Sequence, residues 1–176
     1  IRACFYFNNS KLYFFDVRRF GTFKWFLSEP ILPPFAIDPI KEILNNNILA
    51  TMLKKSKNLA IKQFLLKQDR IIGIGNIYAS EILYASKISP LRHCGEISPS
   101  EIQKLTKHIP RILNAAILQN GTTFSDFQLE DASTGNFQNF LKVYARENKK
   151  CKRCTTLIKK INQNQRSTFY CESCQK

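Results

Sequence analysis

The chain has 176 residues, 44% of them hydrophobic, and carries 27 Lys and Arg against 13 Asp and Glu, a formal charge of +14. That length makes one domain or two small ones with a stable core, and the charge calls for an anionic partner. A membrane surface would also attract such a chain, but no apolar run approaches the roughly 20 residues of a spanning helix and no cleavable signal is read, so no membrane role is expected.

The chain begins at Ile1, without Met, in strand-like sequence, and the expectation is that an N-terminal part precedes it. Residues 5–26 are dense in aromatics. Phe5–Phe7, a turn at Asn8–Lys11 and Leu12–Phe15 read as a hairpin, with another strand over Phe23–Phe26. Aromatic strands of this kind are expected to be core. Arg18-Arg19-Phe20 presents two cations and a ring at a loop tip; the alternative reading is a solvated turn.

Pro30, Pro33 and Pro34 mark a linker, after which the composition turns helical. Asp38-Pro39 is an N-cap followed by a first-turn proline and opens a short helix over Ile40–Leu44. Ile48–Leu53 reads as a second helix and Leu59–Lys67, capped by Asn58, as a third. Gly73-x-Gly75 fails as a dinucleotide fingerprint because Tyr78 stands where the third glycine belongs and no strand precedes it. It reads instead as a pair of tight turns leading into a helix at Asn76–Ser86, whose N-terminal N–H groups and Asn76 side chain suit a phosphate. That helix is apolar nearly all round. Glu81 within it is either an inward carboxylate served by N–H groups of the preceding turns, or a plain exposed residue.

Ser98-Pro99-Ser100-Glu101 is a capping box that starts a helix carrying Ile102, Leu105, Ile109 and Leu113 at core spacing. Pro110 is expected to kink or split it, and Asn120-Gly121 to end it in a left-handed cap. Thr122–Phe127 is a polar and aromatic loop, and Gly135-Asn136 breaks the chain before Phe137–Arg146. His93 and His108 stand alone and receive no role; Cys4 and Cys94 read as small buried apolar residues.

The last stretch holds Cys151-x2-Cys154 and Cys171-x2-Cys174, sixteen residues apart, the spacing of a four-thiolate zinc site. The segment between them reads as a hairpin: Thr155–Ile161, a turn at Asn162–Gln165, and Arg166–Tyr170. About 25 residues bury no self-sufficient core, so one structural zinc ion is the expected source of folding energy. Two disulfides are the competing reading and would need a secreted context. Eight Lys and Arg from Lys149 to Lys176 face one acid, Glu172, which reads as a phosphate-binding ribbon. Four thiolates and one zinc change the net charge to 14 − 4 + 2 = +12.

The runs Leu12-Tyr-Phe-Phe-Asp-Val-Arg-Arg-Phe-Gly21, Gly73-Ile-Gly-Asn-Ile-Tyr-Ala-Ser-Glu81, Gly121-Thr-Thr123, Val143-Tyr-Ala-Arg-Glu147 and Arg166-Ser-Thr-Phe-Tyr-Cys171, in this order and with this cysteine spacing, resemble the C-terminal two-thirds of formamidopyrimidine-DNA glycosylases of the endonuclease VIII superfamily. The resemblance implies a mainly α fold with β. Residues 1–30 would be remnant strands of an N-terminal β-sandwich, 36–135 a helix–two-turns–helix domain, and 137–176 the zinc ribbon. It implies base-excision repair: removal of oxidised purines, 8-oxoguanine and formamidopyrimidines, by base flipping, with an N-terminal proline amine forming a Schiff base and eliminations cutting the strand.

By the same resemblance Arg18 and Phe20 would fill the gap left by the flipped base, with Arg19 beside them on the DNA, and Asn76 and Lys57 would contact DNA. Arg166 would grip phosphates and act as proton donor in the second elimination, and Thr122 and Thr123 would lie in the loop against the extruded base. Asn120 and Ala145 stand where the family carries glycine, and Pro110 is unusual. The family's initial Pro-Glu pair and sandwich lysine have no counterpart, so these residues are expected to bind double-stranded damaged DNA as a monomer without Schiff-base chemistry. A cytoplasmic, nucleoid-associated bacterial protein is implied. A non-catalytic DNA-binding relic of the same fold is the alternative. An RNA-binding zinc ribbon explains the charge but not the turns.

Overall fold

The computed structural model describes residues 1–16, 21–28, 36–123 and 135–176. Arg18, Arg19, Phe20, the linker prolines Pro30, Pro33 and Pro34, and residues 124–134 lie outside the described residues. The chain divides into two units, Ile1–Leu32 and Pro33–Lys176.

In the first unit, β1 (Ala3–Phe7) pairs antiparallel with β2 (Ser10–Phe14), Phe7 opposite Ser10, so the turn is the two residues Asn8-Asn9. The strand expected over Phe23–Phe26 does not form. The Gly21 N–H bonds the Asp16 carboxylate at 2.7 Å, and Phe23 then docks edge-on against Phe5 and Phe14, centroids 4.9 and 4.5 Å away. A two-stranded hairpin has little face to bury anything against. Within this unit Tyr6, Phe7 and Trp25 are accordingly largely exposed rather than core.

In the second unit, α1 (Asn46–Lys55) starts where the Asn45 side chain accepts the Ile48 N–H, and it ends on Lys54 and Lys55, which suit the negative helix terminus. The helix expected over Ile40–Leu44 is only a turn, in which Asp38 Oδ1 accepts from Ile40 and the Asp38 carbonyl from Lys41 and Glu42. Ile43 is 86% exposed, so the segment lacks the packed apolar face that stabilises a short helix. α2 (Ile61–Leu65) begins after Ala60 rather than Asn58, because Ala60 bridges His93 and the Ile61 N–H goes to the Arg92 carbonyl.

α3 (Asn76–Ser86) has the expected bounds and is buried over most of its surface. α4 (Pro99–Leu118) starts in the expected Ser98–Glu101 capping box and runs unbroken through Pro110, whose missing N–H leaves the Thr106 carbonyl without its helical donor. The left-handed cap forms as expected, Asn120 at φ 55° and Gly121 at φ 80°, with the Gly121 N–H on the Ala116 carbonyl. α3 packs on α4 over a core that includes Leu49, Phe64, Ile74, Ile82 and Leu105. Burying each such side chain contributes about 1.5–3 kcal/mol. No helix among the described residues is long and apolar enough to cross a membrane.

The C-terminal hairpin pairs β3 (Lys159–Gln163) with β4 (Arg166–Tyr170), Gln163 opposite Arg166. Asn164 and Gln165 both have positive φ, 48° and 60°, the two-residue turn whose twist matches paired strands. The outward strand starts at Lys159 rather than Thr155, because Thr155 sits left-handed at φ 64° in the first cysteine knuckle. The hairpin is fastened to the helices. Tyr84, Val143, Ile158 and Phe169 form a small shared core, and buried Gln175 accepts the Cys171 N–H while donating to the Ile88 carbonyl.

Candidate metal centre and nucleic-acid interface

The two knuckles aim their sulfurs at one point. The Sγ atoms of Cys151, Cys154, Cys171 and Cys174 all lie within 4.8 Å of one another, with Cys154–Cys171 at 3.3 Å and Cys151–Cys174 at 3.9 Å. None is in a disulfide. Tetrahedral zinc with bonds of about 2.3 Å spaces its sulfurs by about 3.8 Å, so this set fits one structural zinc ion. Four protein ligands leave it no open position for substrate. Around it, the Tyr84 hydroxyl donates to Cys151 Sγ at 3.2 Å, and the Arg153 guanidinium covers the Tyr84 ring 4.4 Å from its centroid. Burial and that sulfur push the Tyr84 hydroxyl well above the usual phenol range, keeping it a donor.

The hairpin carries Arg166, exposed beside its turn and without an ion pair among the described residues. Lys159 and Lys160 of β3 are instead paired, with Glu172 at 2.6 Å and Glu147 at 3.5 Å, so the ribbon is less one-signed than its composition suggests. β4 meets the start of α3 directly, because Asn76 Nδ2 donates to the Ser167 carbonyl at 2.9 Å. Beneath both lies Lys62, 1% exposed, donating to Asn76 Oδ1 and Thr168 Oγ1 at 2.6 Å each and to the Ser167 carbonyl at 3.2 Å. Burial, and then the Arg166 cation, lower the Lys62 amine to about 8.

A hollow of about 440 Å³ beside this cluster is lined by Leu59, Lys62, Lys67 and Arg166 among others. A second, holding Lys54, Lys55, Lys57 and Arg70, also contains Leu59 and Lys67. Exposed Lys57 and Arg166 therefore belong to one basic strip.

The two turns before α3 are held by Gln68, whose side chain accepts the Gly73 N–H and donates to the Ile74 carbonyl. Gly73 has φ 84°, which favours glycine. Glu81 is inward, 4% exposed, but its partners are not those turns. Its carboxylate accepts from the backbone N–H groups of Lys142, Val143 and Tyr144 at 2.9–3.0 Å. Burial pushes its pKa up, against the pull of those three donors. Glu81 thus pins the segment entering the ribbon onto α3.

Thr122 and Thr123 sit where the loop leaves α4. Thr122 Oγ1 pairs with the Tyr78 hydroxyl at 3.3 Å, and Thr123 Oγ1 accepts the Gly135 N–H at 2.7 Å. A side chain on Gly135 would collide with the Gly121 carbonyl at 2.4 Å, so glycine lets the two ends of the loop meet. The structure brings Asn76 and Arg166 together with Lys57 on the adjoining strip, and it places Thr122 and Thr123 at the loop base. Lys62 and Thr168 were missed. A lysine inside Ala60-Ile-Lys-Gln-Phe64 carries no sequence mark of burial, and Thr168 looks like any strand threonine.

Residues 35–128 match the formamidopyrimidine-DNA glycosylase H2TH domain, and residues 148–176 match the zinc finger found in FPG and IleRS. A formamidopyrimidine-DNA glycosylase of Vibrio atlanticus is 38% identical over 171 residues, covering 96% of this chain and 63% of that protein. One of Ruthia magnifica is 40% identical over 170 residues, with the same coverage. The MutM (Fpg) crystal structure from Thermus thermophilus superposes with a TM-score of 0.76 at 30% identity, over 80% of this chain and 53% of that one. The Lactococcus lactis Fpg complexed with abasic-site DNA gives 0.73 at 35%, over 81% and 52%. The chain thus spans less than two thirds of the length of these relatives. With the glycosylase H2TH match covering more than half of its residues and the zinc finger following, this chain belongs to the formamidopyrimidine-DNA glycosylase family.

Proposed function

We propose that this chain provides the duplex-gripping part of a base-excision DNA glycosylase and AP lyase that acts on oxidised purines. The observation that carries the reading is the join of Asn76 to the Ser167 carbonyl of β4, which sets an amide at a helix N-terminus against the residue that follows the exposed Arg166. Both groups bind phosphate oxygens well, one through neutral N–H donors and the other through a planar charged fork. The L. lactis neighbour bound to abasic-site DNA, and the names of the relatives, support DNA as the ligand. In this reading 36–135 and 137–176 are the two gripping domains. Asn76, Lys57 and Arg166 hold phosphates, Arg166 also donates a proton in the second elimination, and Thr122 and Thr123 start the loop that meets the extruded base. Arg18, Arg19 and Phe20 probe the stack.

The 176 residues alone then grip damaged duplex but form no Schiff base. Fluorescence anisotropy with an abasic-analogue duplex, competed by structured RNA, should show retained duplex binding, and borohydride should trap no covalent adduct. Preferential loss to RNA would overturn the nucleic-acid assignment. Efficient trapping would overturn the division of labour.

A further inference from the structure

We propose that Lys62 is the positioning residue of this grip and that binding of a DNA phosphate draws a proton onto its amine. The inference rests on reading Asn76 and Arg166 as phosphate ligands. An ammonium has three N–H donors, and Lys62 has three acceptors: Asn76 Oδ1, Thr168 Oγ1 and the Ser167 carbonyl. At 1% exposure, and with all three donors used, the amine does not itself reach a ligand. What it does is fix geometry. Holding Asn76 Oδ1 turns the amide so that Nδ2 faces the Ser167 carbonyl and keeps its second N–H for an outside acceptor. Holding the two residues after Arg166 sets the strand that presents the guanidinium.

The charge balance around the amine is incomplete. Arg166 from β4 and Lys67, from just past α2, share its hollow, and among the described residues no carboxylate lines it. Burial and Arg166 bring the amine to about 8, so near that pH the free protein is a mixture of charged and neutral forms. A phosphate between Asn76 and Arg166 brings the missing negative charge and favours the ammonium. Below pH 8 the proton is already present, and binding takes up none. Above it, every bound chain takes up a proton, and affinity falls as pH rises.

The test is anisotropy with the whole zinc-loaded chain and a short duplex, at constant ionic strength from pH 6.5 to 9.5. With the amine at about 8, the wild-type Kd should rise about eightfold between pH 7.5 and 9. Lys62→Arg, which keeps a charge that does not titrate, should bind with that rise abolished. Lys62→Met should bind weakly with a flat profile; if circular dichroism shows it unfolded, the arginine variant decides. A wild-type profile that stays flat while binding persists, or an unchanged rise in Lys62→Arg, overturns the proposal and leaves the grip intact. No duplex binding at neutral pH and low salt would instead remove the phosphate reading on which it stands.

Discussion

Glu81 offers the sharpest test of how the ribbon is fastened to the helices. Replacing it with Ala strands three N–H groups, of which that of Val143 is wholly inaccessible to water while Lys142 is exposed and Tyr144 half-buried. An unsatisfied buried donor costs about 1–3 kcal/mol, and the two that water reaches add about 0.5 kcal/mol each, giving roughly 2–4 kcal/mol. For a chain of this size each kcal/mol lowers Tm by about 2–4 °C, so a fall of roughly 4–16 °C is expected. Glu81→Gln keeps one oxygen facing those donors and should lose less than half as much. Thermal melts followed by circular dichroism with zinc present measure both. A fall below about 2 °C for Glu81→Ala, or equal losses for both variants, would refute this view of the contact.

Ala145 and Thr155 adopt left-handed φ of 56° and 64°. The side-chain penalty of about 1–2 kcal/mol exceeds the entropic cost of glycine, so Ala145→Gly and Thr155→Gly should each raise stability by about 0.5–1 kcal/mol in zinc-loaded melts. Zinc removal by a chelator should abolish hydrogen-exchange protection in β3 and β4 while α3 and α4 keep theirs, since structural zinc supplies about 10–16 kcal/mol to small domains of this type. Asn76→Ala and Arg166→Ala should each weaken duplex binding by about 1–3 kcal/mol, on intact and damaged DNA alike. Because the Asn76 amide bonds the Ser167 carbonyl, the double variant should depart from additivity by more than about 0.5 kcal/mol.

What was legible in the sequence follows from how local each signal is. The Ser98–Glu101 capping box, the Asn120-Gly121 cap, the α3 bounds and the two cysteine pairs are written in residues a few positions apart, where backbone chemistry alone decides. The failures came where distant packing decides. The partners of Glu81 lie about sixty residues away, at Lys142–Tyr144, and two of the three partners of Lys62, Ser167 and Thr168, lie more than a hundred residues away on β4. The start of α2 moved because Arg92 supplies an acceptor to Ile61, and the turn after Asp38 stayed short because Ile43 found no core. Pro110 did not split α4, since core burial of Leu105, Ile109 and Leu113 on either side keeps the helix continuous past the lost bond. The grip was thus half visible: Asn76 and Arg166 stood out as residues, and the lysine that joins them did not.

The most direct test of the grip is the salt dependence of duplex binding. If the zinc-loaded chain covers about six phosphates, log affinity should fall against log salt with a slope near −5, and Arg166→Ala should reduce that slope by about one. A chain that holds its zinc yet ignores duplex DNA at low ionic strength, or a slope that Arg166→Ala leaves unchanged, would contradict the account.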